Sequence, residues 1–272
     1  MKFFFKSILV ISAFLLASQF LSAQETATPQ NYHVHDYFAV PAGGAADYLA
    51  MEKVWKKIHQ ANIKSGKYTN WELSEILMPG TGVDAYNYVT RTSVRGEENL
   101  AALLTGEHFD IEPANILTKG EMEVFNNTGN LRTFVKREVY TVSHLLPAAD
   151  WDKVKVAVHN HFDFPESGGR SAHVKAEKDI WDPVHAARIK AGKMLGWVVA
   201  AKMMPWGADE IFHDVTVDLY ESLPGYLANR SPMPYFAKVH PDKDIDQLMA
   251  QTEAAATLVS SEVRLILENV HE

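Results

Sequence analysis

The chain contains no cysteine, which excludes disulfide bonds, thiolate metal ligands and lipid attachment through an N-terminal cysteine. After the first 23 residues, no apolar run approaches the roughly 18 residues expected of a membrane-spanning helix. Clusters of lysine and arginine with interleaved aromatic residues are missing, and the formal net charge is −8. We therefore expect no nucleic acid partner and, once the first segment is removed, no membrane. A small-molecule ligand and a homo-oligomer both stay open.

Familiar catalytic motifs are missing as well. The sequence has no GxSxG elbow, HExxH motif, Walker loop or dinucleotide-binding glycine pattern at a strand-to-helix junction. The glycine pairs Gly43-Gly44 and Gly168-Gly169 follow predicted strands but lack the spacing that cradles a phosphate. The motifs therefore point to no particular reaction, and they leave open whether the protein is an enzyme.

The N-terminal segment has the three zones of a secretory signal. Lys2 and Lys6 are basic, residues 8–16 are apolar, and the small residues Ser22 and Ala23 precede Gln24. This pattern predicts a signal peptide over residues 1–23, a linker over 24–30, and export to the periplasm or out of the cell. The alternative is an uncleaved N-terminal anchor.

An internal repeat is the clearest feature of the remaining chain. Residues 54–90 align with residues 180–216 without a gap. The identical pairs include Trp55/Trp181, His59/His185, Ile63/Ile189, Gly66/Gly192, Trp71/Trp197 and Pro79/Pro205. We therefore predict two tandem repeats over residues 31–146 and 151–272, with their boundary at residues 147–153.

The same order of elements is predicted for both repeats. Helices are expected at residues 45–65 and 171–191, each closed by a glycine, and Pro183 should kink or restart the second of them. Further helices are expected near 112–125 and 243–257. The predicted strands are 33–40, 71–78, 86–94 and 132–142, and then 154–164, 197–204, 211–219 and 263–269. This is the ferredoxin-like β-α-β-β-α-β unit, used twice.

A repeated set of aromatic and histidine residues is the strongest candidate for a site. Spacing of four places Trp55, His59 and Ile63 in one column of a helix, and the second repeat matches this. The set can line a pocket between helix and sheet, or it can be a packed core with structural histidines. His59 and His185 are the best catalytic candidates, because imidazoles titrate near neutral pH. The predicted ligand-binding residues are Trp55, His59, Trp71, Trp181, His185 and Trp197.

Histidines in the first strand of each repeat provide a second candidate. If His35 and His159 face the helix, two or three imidazoles per repeat could gather around a metal ion, and His161 is the third candidate. Neither repeat has an obvious carboxylate at ligand spacing, so no metal site is predicted. The register is also open, since His35 can correspond to either His159 or His161.

The repeated unit, the helix ending in IKxGK and the tryptophan that opens the next strand resemble the dimeric α/β-barrel superfamily. That group includes NIPSNAP-like proteins, cofactor-independent antibiotic-biosynthesis monooxygenases and haem-binding relatives of chlorite dismutase. The resemblance implies an α+β fold with two ferredoxin-like units paired sheet to sheet as an intramolecular barrel. It also implies ligands between helices and sheet. A helix histidine in the position of His185 holds haem in some relatives, although no matching distal arginine is found.

Three functions remain open from the sequence. The leading one is an exported protein that binds a small apolar or aromatic molecule in a pocket between helix and sheet. The second is an enzyme, either a cofactor-independent oxygenase or isomerase or a metal- or haem-dependent oxidoreductase. The third is a structural or interaction module without chemistry. No cofactor is predicted, and haem or a divalent metal is the alternative.

Overall fold

Eight β-strands form the framework of the protein. The computed structural model describes residues 29–78, 85–106, 111–166, 168–207 and 210–272. The predicted signal peptide at residues 1–23, most of the predicted linker, and Pro79 lie outside the described residues. The strands are β1 Asn31–Ala39, β2 Asn70–Ile76, β3 Tyr88–Arg95, β4 Thr133–Leu146, β5 Val156–Asp163, β6 Gly196–Met204, β7 Asp214–Tyr220 and β8 Thr257–His271.

All eight strands close into one antiparallel barrel. Their order around the barrel is β1-β3-β2-β8-β5-β7-β6-β4, and β4 pairs with β1 to complete the ring. Each half of the chain therefore supplies four neighbouring strands. Side chains alternate along every strand between the inside of the barrel and its outer wall. The predicted α+β class and the barrel within a single chain are confirmed.

Helices cover the outer wall of the barrel. The α-helices are α1 Ala45–Lys64, α2 Glu97–Thr105, α3 Lys119–Asn126, α4 Thr128–Leu131, α5 Arg170–Ala176, α6 Asp182–Lys190, α7 Leu223–Asn229, α8 Met233–Val239 and α9 Ile245–Ala255. The apolar stripe of α1, with Tyr48 and Met51 fully buried, packs on the outward residues of β1 and β3. None of the described helices is long and apolar enough to cross a membrane.

The helix after the first strand behaves differently in the two halves. α1 is continuous, and Gly66 follows it with a φ of +76°, as the sequence predicts. In the second half, a π-helical turn at Glu177–Trp181 separates α5 from α6, and Pro183 lies in the first turn of α6. The predicted restart is therefore confirmed. Proline tolerates this position because the first turn of a helix leaves its N–H groups unpaired.

The prediction of the second helical region in each half was incomplete. A helix follows β3 directly as α2, where the buried Leu100 and Leu103 are spaced by three, and the sequence interpretation left this pattern out. Two short helices, α7 and α8, were also missed in the second half. The closing strands β4 and β8 extend further than predicted, because they pair along their length with strands of the opposite half.

Candidate functional site

A cavity of about 460 Å³ occupies one end of the barrel interior. It lies at the end where β1 begins and β8 finishes, and it extends along the inward-facing residues of all eight strands. Small-molecule sites in proteins are typically about 300–1,000 Å³ in volume. The cavity therefore has the size of a ligand site.

The lining of this cavity is divided between two opposite walls. Three adjacent strands, β1, β3 and β2, form a polar wall, and two strands on the other side, β7 and β6, form an apolar wall. The polar wall consists of Asn31, His33, His35, Asn70, Glu72, Arg91 and Ser93. The apolar wall consists of Val198, Ala200, Val215, Val217 and Leu219. A molecule that fits this cavity has one polar edge and one apolar edge.

Two histidines form the floor of the cavity. The ring centroids of His35 on β1 and His159 on β5 are 5.9 Å apart, with an angle of 71° between the rings. Both line the cavity and are buried, at 5% and 7% exposure. The next inward-facing residues on the same strands, Tyr37 and His161, do not line it. The histidine pair therefore marks its inner limit.

Arg264 lies below the floor and holds one of these histidines. Its Nε donates to Glu262 at 2.6 Å, and its Nη2 donates to the hydroxyl of Tyr37 at 3.3 Å. Its Nη1 lies 3.4 Å from Nδ1 of His35. A guanidinium group has donors only, so Nδ1 of His35 is the acceptor in this contact.

Glu138 also lies below the floor and is buried there. The hydroxyls of Tyr37 and Tyr140 both donate to its Oε2 at 2.6 Å, and Lys136 donates to Oε1 at 3.1 Å. Burial raises the pKa of Glu138, but Lys136 and the tyrosine hydroxyls lower it by more, so its pKa lies below 4.5. Glu138 is therefore ionised at neutral pH and keeps both tyrosines as donors.

The floor histidines are neutral at physiological pH. Burial, followed by the positive charge of Arg264, holds the pKa values of His35 and His159 well below the usual 6.5. Burial also lowers the pKa of His33 to about 3, with Arg91 as the second cause. The cavity therefore presents uncharged imidazoles, which can donate or accept hydrogen bonds.

His159 is buried without a hydrogen-bond partner in the described part of the chain. Neither of its ring nitrogens has one, although the side chain is 93% buried and lines the cavity. The ring borders the cavity, so its nitrogens are accessible from there and are not sealed inside the protein. A ligand with a polar group at the floor can therefore form a hydrogen bond with His159.

The mouth of the cavity is formed by the ends of strands and by the turn that joins the two halves. Trp151 lines it and is 37% exposed. Nε2 of His271, at the end of β8, lies 3.2 Å from a carboxylate oxygen of Asp152 in the same turn. The Asp152 carboxylate and the carbonyl of Glu272 raise the pKa of His271.

The residues predicted to bind ligand lie outside the barrel, between helices and outer wall. In the first half, the ring of His59 stacks on Trp71 with centroids 4.7 Å apart and on Trp55 at 5.9 Å. The ring of Phe125 packs on the far side of Trp55 at 4.7 Å. Trp71 is completely buried.

The second half repeats this three-ring stack. His185 lies between Trp197 at 4.7 Å and Trp181 at 5.7 Å, and Phe236 packs on Trp181 at 4.9 Å. None of the six predicted ligand-binding residues lines the barrel cavity. Their role in binding, and the catalytic role suggested for His59 and His185, stay predictions.

The surroundings of His185 do not fit a haem ligand. Indole rings cover both faces of the imidazole, and Nδ1 accepts from Nη1 of Arg188 at 3.0 Å. Burial, followed by the charge of Arg188, lowers the pKa of His185 to about 3. A haem ligand needs an open edge next to a wide flat space, and this histidine is packed as a core residue.

The strand histidines have a different geometry from the one considered in the sequence. They face the inside of the barrel, whereas the metal site considered from the sequence required them to face the helices. His161 lies one step below the floor, and its Nδ1 is 3.1 Å from Oγ of Ser260. The described residues contain no group of three histidine or carboxylate side chains arranged to hold a metal ion.

The open question of register is answered by the cross-strand neighbours. His35 lies opposite Glu138 on β4, and His159 lies opposite Glu262 on β8. The residues two positions further on, Tyr140 and Arg264, both contact His35. His35 and His159 therefore occupy equivalent places in the two groups of four strands.

Comparison with known proteins finds similar folds for this chain but no matching sequence family. No family model matches the sequence, and no curated protein matches it either. A proposed monooxygenase from Fusobacterium nucleatum has a similar structure, with a TM-score of 0.56 and 10% identity over 90% of this chain and 96% of that one. An anthrone oxidase-like protein has a TM-score of 0.50, with 13% identity over 90% and 94% of the two chains.

A third similar structure is a proposed monooxygenase from Lactobacillus acidophilus, with a TM-score of 0.50 and 9% identity over 90% and 96% of the two chains. Chlorite dismutases and a haem-binding protein are also similar, at TM-scores below 0.5. At this level of identity the likeness shows a shared fold alone. The three structures with TM-scores of 0.50 or more confirm the expected architecture, and the other members of the resemblance stay predictions.

Proposed function

We propose that the barrel cavity binds a small, mainly apolar molecule with a hydroxyl or carbonyl group, and that the protein acts on this molecule by moving a proton. The observation that carries the proposal is His159 at the floor of the cavity, a buried neutral imidazole without a hydrogen-bond partner among the residues that the structure describes. A neutral imidazole in a water-poor site can serve as a general base. The activity is that of a cofactor-independent oxygenase or isomerase.

The division of the cavity supports a ligand of this kind. The apolar wall offers only aliphatic side chains, so it favours the flat or aliphatic body of a molecule. The polar wall offers hydrogen-bonding groups on the other side. In this wall, Nη2 of Arg91 donates to Glu72 at 2.7 Å, so the charges are already paired. A neutral ligand with one polar edge fits better than an ion.

Molecular oxygen is the co-substrate in the oxygenase form of this proposal. Removal of a proton from an activated methylene gives a carbanion that can pass electrons to O₂. The net change converts CH₂ and O₂ into C=O and H₂O, which balances without a further reductant. The similar structures described as monooxygenases and anthrone oxidase-like support this form by fold alone.

The test compares ligand binding and turnover in matched variants. Hydroxylated aromatic compounds and aryl ketones are screened by thermal shift, and hits are assayed for oxygen uptake. We expect Ala200→Trp, which fills the cavity from the apolar wall, to remove binding. We expect His159→Gln to remove turnover, while the control His161→Gln retains it. An absence of binding by every compound, or unchanged binding by Ala200→Trp, would overturn the proposal. Binding without turnover would leave a ligand-binding protein.

The two halves of the chain are proposed to be a tandem duplication. The same strand order occurs in each half, and both halves contain the tryptophan–histidine–tryptophan stack at matching positions. Separate expression of residues 31–146 and 151–272 tests whether each half forms a symmetric barrel with a second copy of itself.

Export is also a proposal, and it rests on the pattern of residues 1–23. Mass spectrometry of the protein from its native source should find a new N-terminus at Gln24. An N-terminus at Met1 in the exported fraction would favour the uncleaved anchor.

A further inference from the structure

We propose that the two floor histidines have different roles, and that this difference selects carbonyl compounds with an acidic C–H beside the carbonyl. His35 holds the carbonyl oxygen, and His159 removes the proton from the neighbouring carbon. This inference rests on the proposed function and names the substrate class and the residue roles for the same cavity.

The role of His35 follows from its tautomer. Because Nδ1 accepts from Nη1 of Arg264, the proton of the neutral ring is on Nε2. Arg264 is held in place by Glu262 and Tyr37, and its side chain is almost fully buried. His35 therefore offers Nε2–H as a donor, and the guanidinium charge behind it favours a negative ligand oxygen.

The role of His159 follows from a ring nitrogen that is free to accept a proton. Among the described residues, no donor occupies either ring nitrogen, so one lone pair is available whichever tautomer is present. On its strand, His159 lies between Val217 of the apolar wall and Glu262 of β8. The body of a ligand on the apolar wall is therefore brought next to this ring.

The separation of the two rings suits a carbonyl group and its neighbouring carbon. With centroids 5.9 Å apart and the rings nearly perpendicular, one imidazole can face the oxygen while the other faces the carbon. The two rings contact each other and both border the cavity, so a carbonyl group and its neighbouring carbon that lie on the floor can contact one ring each. Reacting atoms in productive complexes are about 3–3.5 Å apart.

The proton transfer balances within the substrate and the two histidines. A ring nitrogen of His159 takes the proton, and the electron pair of the C–H bond becomes the new C=C bond. The π pair of the carbonyl moves to oxygen, which becomes an enolate held by Nε2–H of His35. Return of the proton to a carbon of the same conjugated system completes an exchange or an isomerisation, so no oxidant is required.

The weak basicity of His159 limits the substrate class further. Burial and Arg264 keep the pKa of this ring well below 6.5, so it is unprotonated at neutral pH but binds a proton weakly. The rate of general-base catalysis depends on how the pKa of the base compares with that of the C–H bond that loses its proton. The C–H bond must therefore be activated by more than a simple ketone, as in ketones with a benzylic α-carbon, 1,3-dicarbonyl compounds and anthrone-type rings.

The first test determines the tautomer of His35 in the unmodified protein. Nitrogen-15 NMR of histidine-labelled protein at pH 7 should show His35 as the Nε2–H tautomer. Arg264→Gln should change the shifts of His35, while the control His161→Gln should leave them in place. A His35 ring with its proton on Nδ1 would overturn the assignment, and this reading needs no variant to fold.

The second test uses 2-tetralone in D₂O and follows the loss of its α-proton signal by ¹H NMR. His159→Gln should lower the protein-catalysed exchange by at least about 100-fold, as expected for loss of a general base. His161→Gln should exchange at the rate of the parent protein. His35→Gln retains a donor and should lose less than His35→Phe.

The outcomes separate the two proposals. If 2-tetralone binds and Ala200→Trp blocks it, but His159→Gln exchanges as fast as the parent, then the roles are wrong and the cavity still binds ligand. If no ketone or hydroxylated aromatic compound binds, the proposed function fails. In that case the absence of any catalysed exchange overturns the assigned roles as well.

Discussion

The ring of His35 meets that of His159 across the barrel, although the two residues lie on strands four positions apart in a ring of eight. Strands at this separation are on opposite walls. Contact between opposite walls means that side chains fill the barrel at this level, so the cavity ends there. The floor of the candidate site is thus made by one residue from each half of the chain.

Filling the cavity is the most direct test of where a ligand binds. We predict that Ala200→Trp removes binding of any ligand found in the thermal-shift screen, since the new indole occupies space beside the apolar wall. The melting temperature without ligand is the control, and a change of a few degrees is acceptable. Retention of full affinity would place the ligand elsewhere, with the helix-side stacks as the first alternative.

Trp197 should matter for stability more than for the cavity. It is fully buried between α6 and the outer wall and stacks on His185 at 4.7 Å. We predict that Trp197→Ala lowers the free energy of unfolding by about 3–5 kcal/mol. Urea denaturation measures this change. A loss under 1 kcal/mol, combined with weaker ligand binding, would instead support the pocket predicted from the sequence.

Acid should destabilise the protein through its neutral buried histidines. Burial is the main reason that the pKa is about 4 for His161 and about 3 for His185. The unfolded chain binds these protons below about pH 6.5 whereas the folded protein does not, so stability falls as the pH drops from 6.5 towards 4. Each histidine contributes about 2 kcal/mol of this loss at pH 5.

His161→Gln provides the measurement for this effect. The loss of unfolding free energy between pH 7 and pH 5 should be smaller by about 2 kcal/mol in the variant. Urea unfolding at both pH values gives the comparison. An equal loss in parent and variant would mean that His161 is protonated in the folded protein.

His173 should act in the opposite direction at alkaline pH. Burial lowers its pKa, but hydrogen bonds to Asp214 and Glu177 raise it by more, to about 9. Because the folded pKa is above the unfolded value of 6.5, this contribution is complete below pH 6.5 and is lost as the pH rises through 9. The difference corresponds to about 3 kcal/mol. In His173→Gln, stability should change less between pH 6.5 and 9, and an unchanged profile would contradict the assignment.

The sequence predicts the fold well because its strongest signals are local. The spacing of Trp55 and His59 identifies the long helix, and Pro183 marks the restart in the second half. The barrel itself follows from the resemblance. Local signals did not predict the full length of β4 and β8, because their extra residues are ordered by pairing with strands of the opposite half.

The candidate site is harder to predict, because its residues are far apart in the chain. Tyr37 donates a hydrogen bond to Glu138, which is 101 positions away in the chain. Arg264 and His35, which are in contact, are 229 positions apart. One signal was available: His33, His35 and Tyr37 alternate along β1, which marks a polar strand face. A polar face on a strand of a closed barrel points to a lined interior, and the sequence analysis considered only the case in which this face turns towards the helix.

The separation of the polar and apolar walls has a consequence for how the protein can change. Val198 and Val215 lie on the side that would accommodate the body of a ligand, and neither is the cross-strand neighbour of a floor histidine. Under the proposed function, selection at these two positions, natural or in a laboratory library, can alter which molecule is accepted while the floor histidines are inherited intact. The barrel divides recognition and chemistry between different strands.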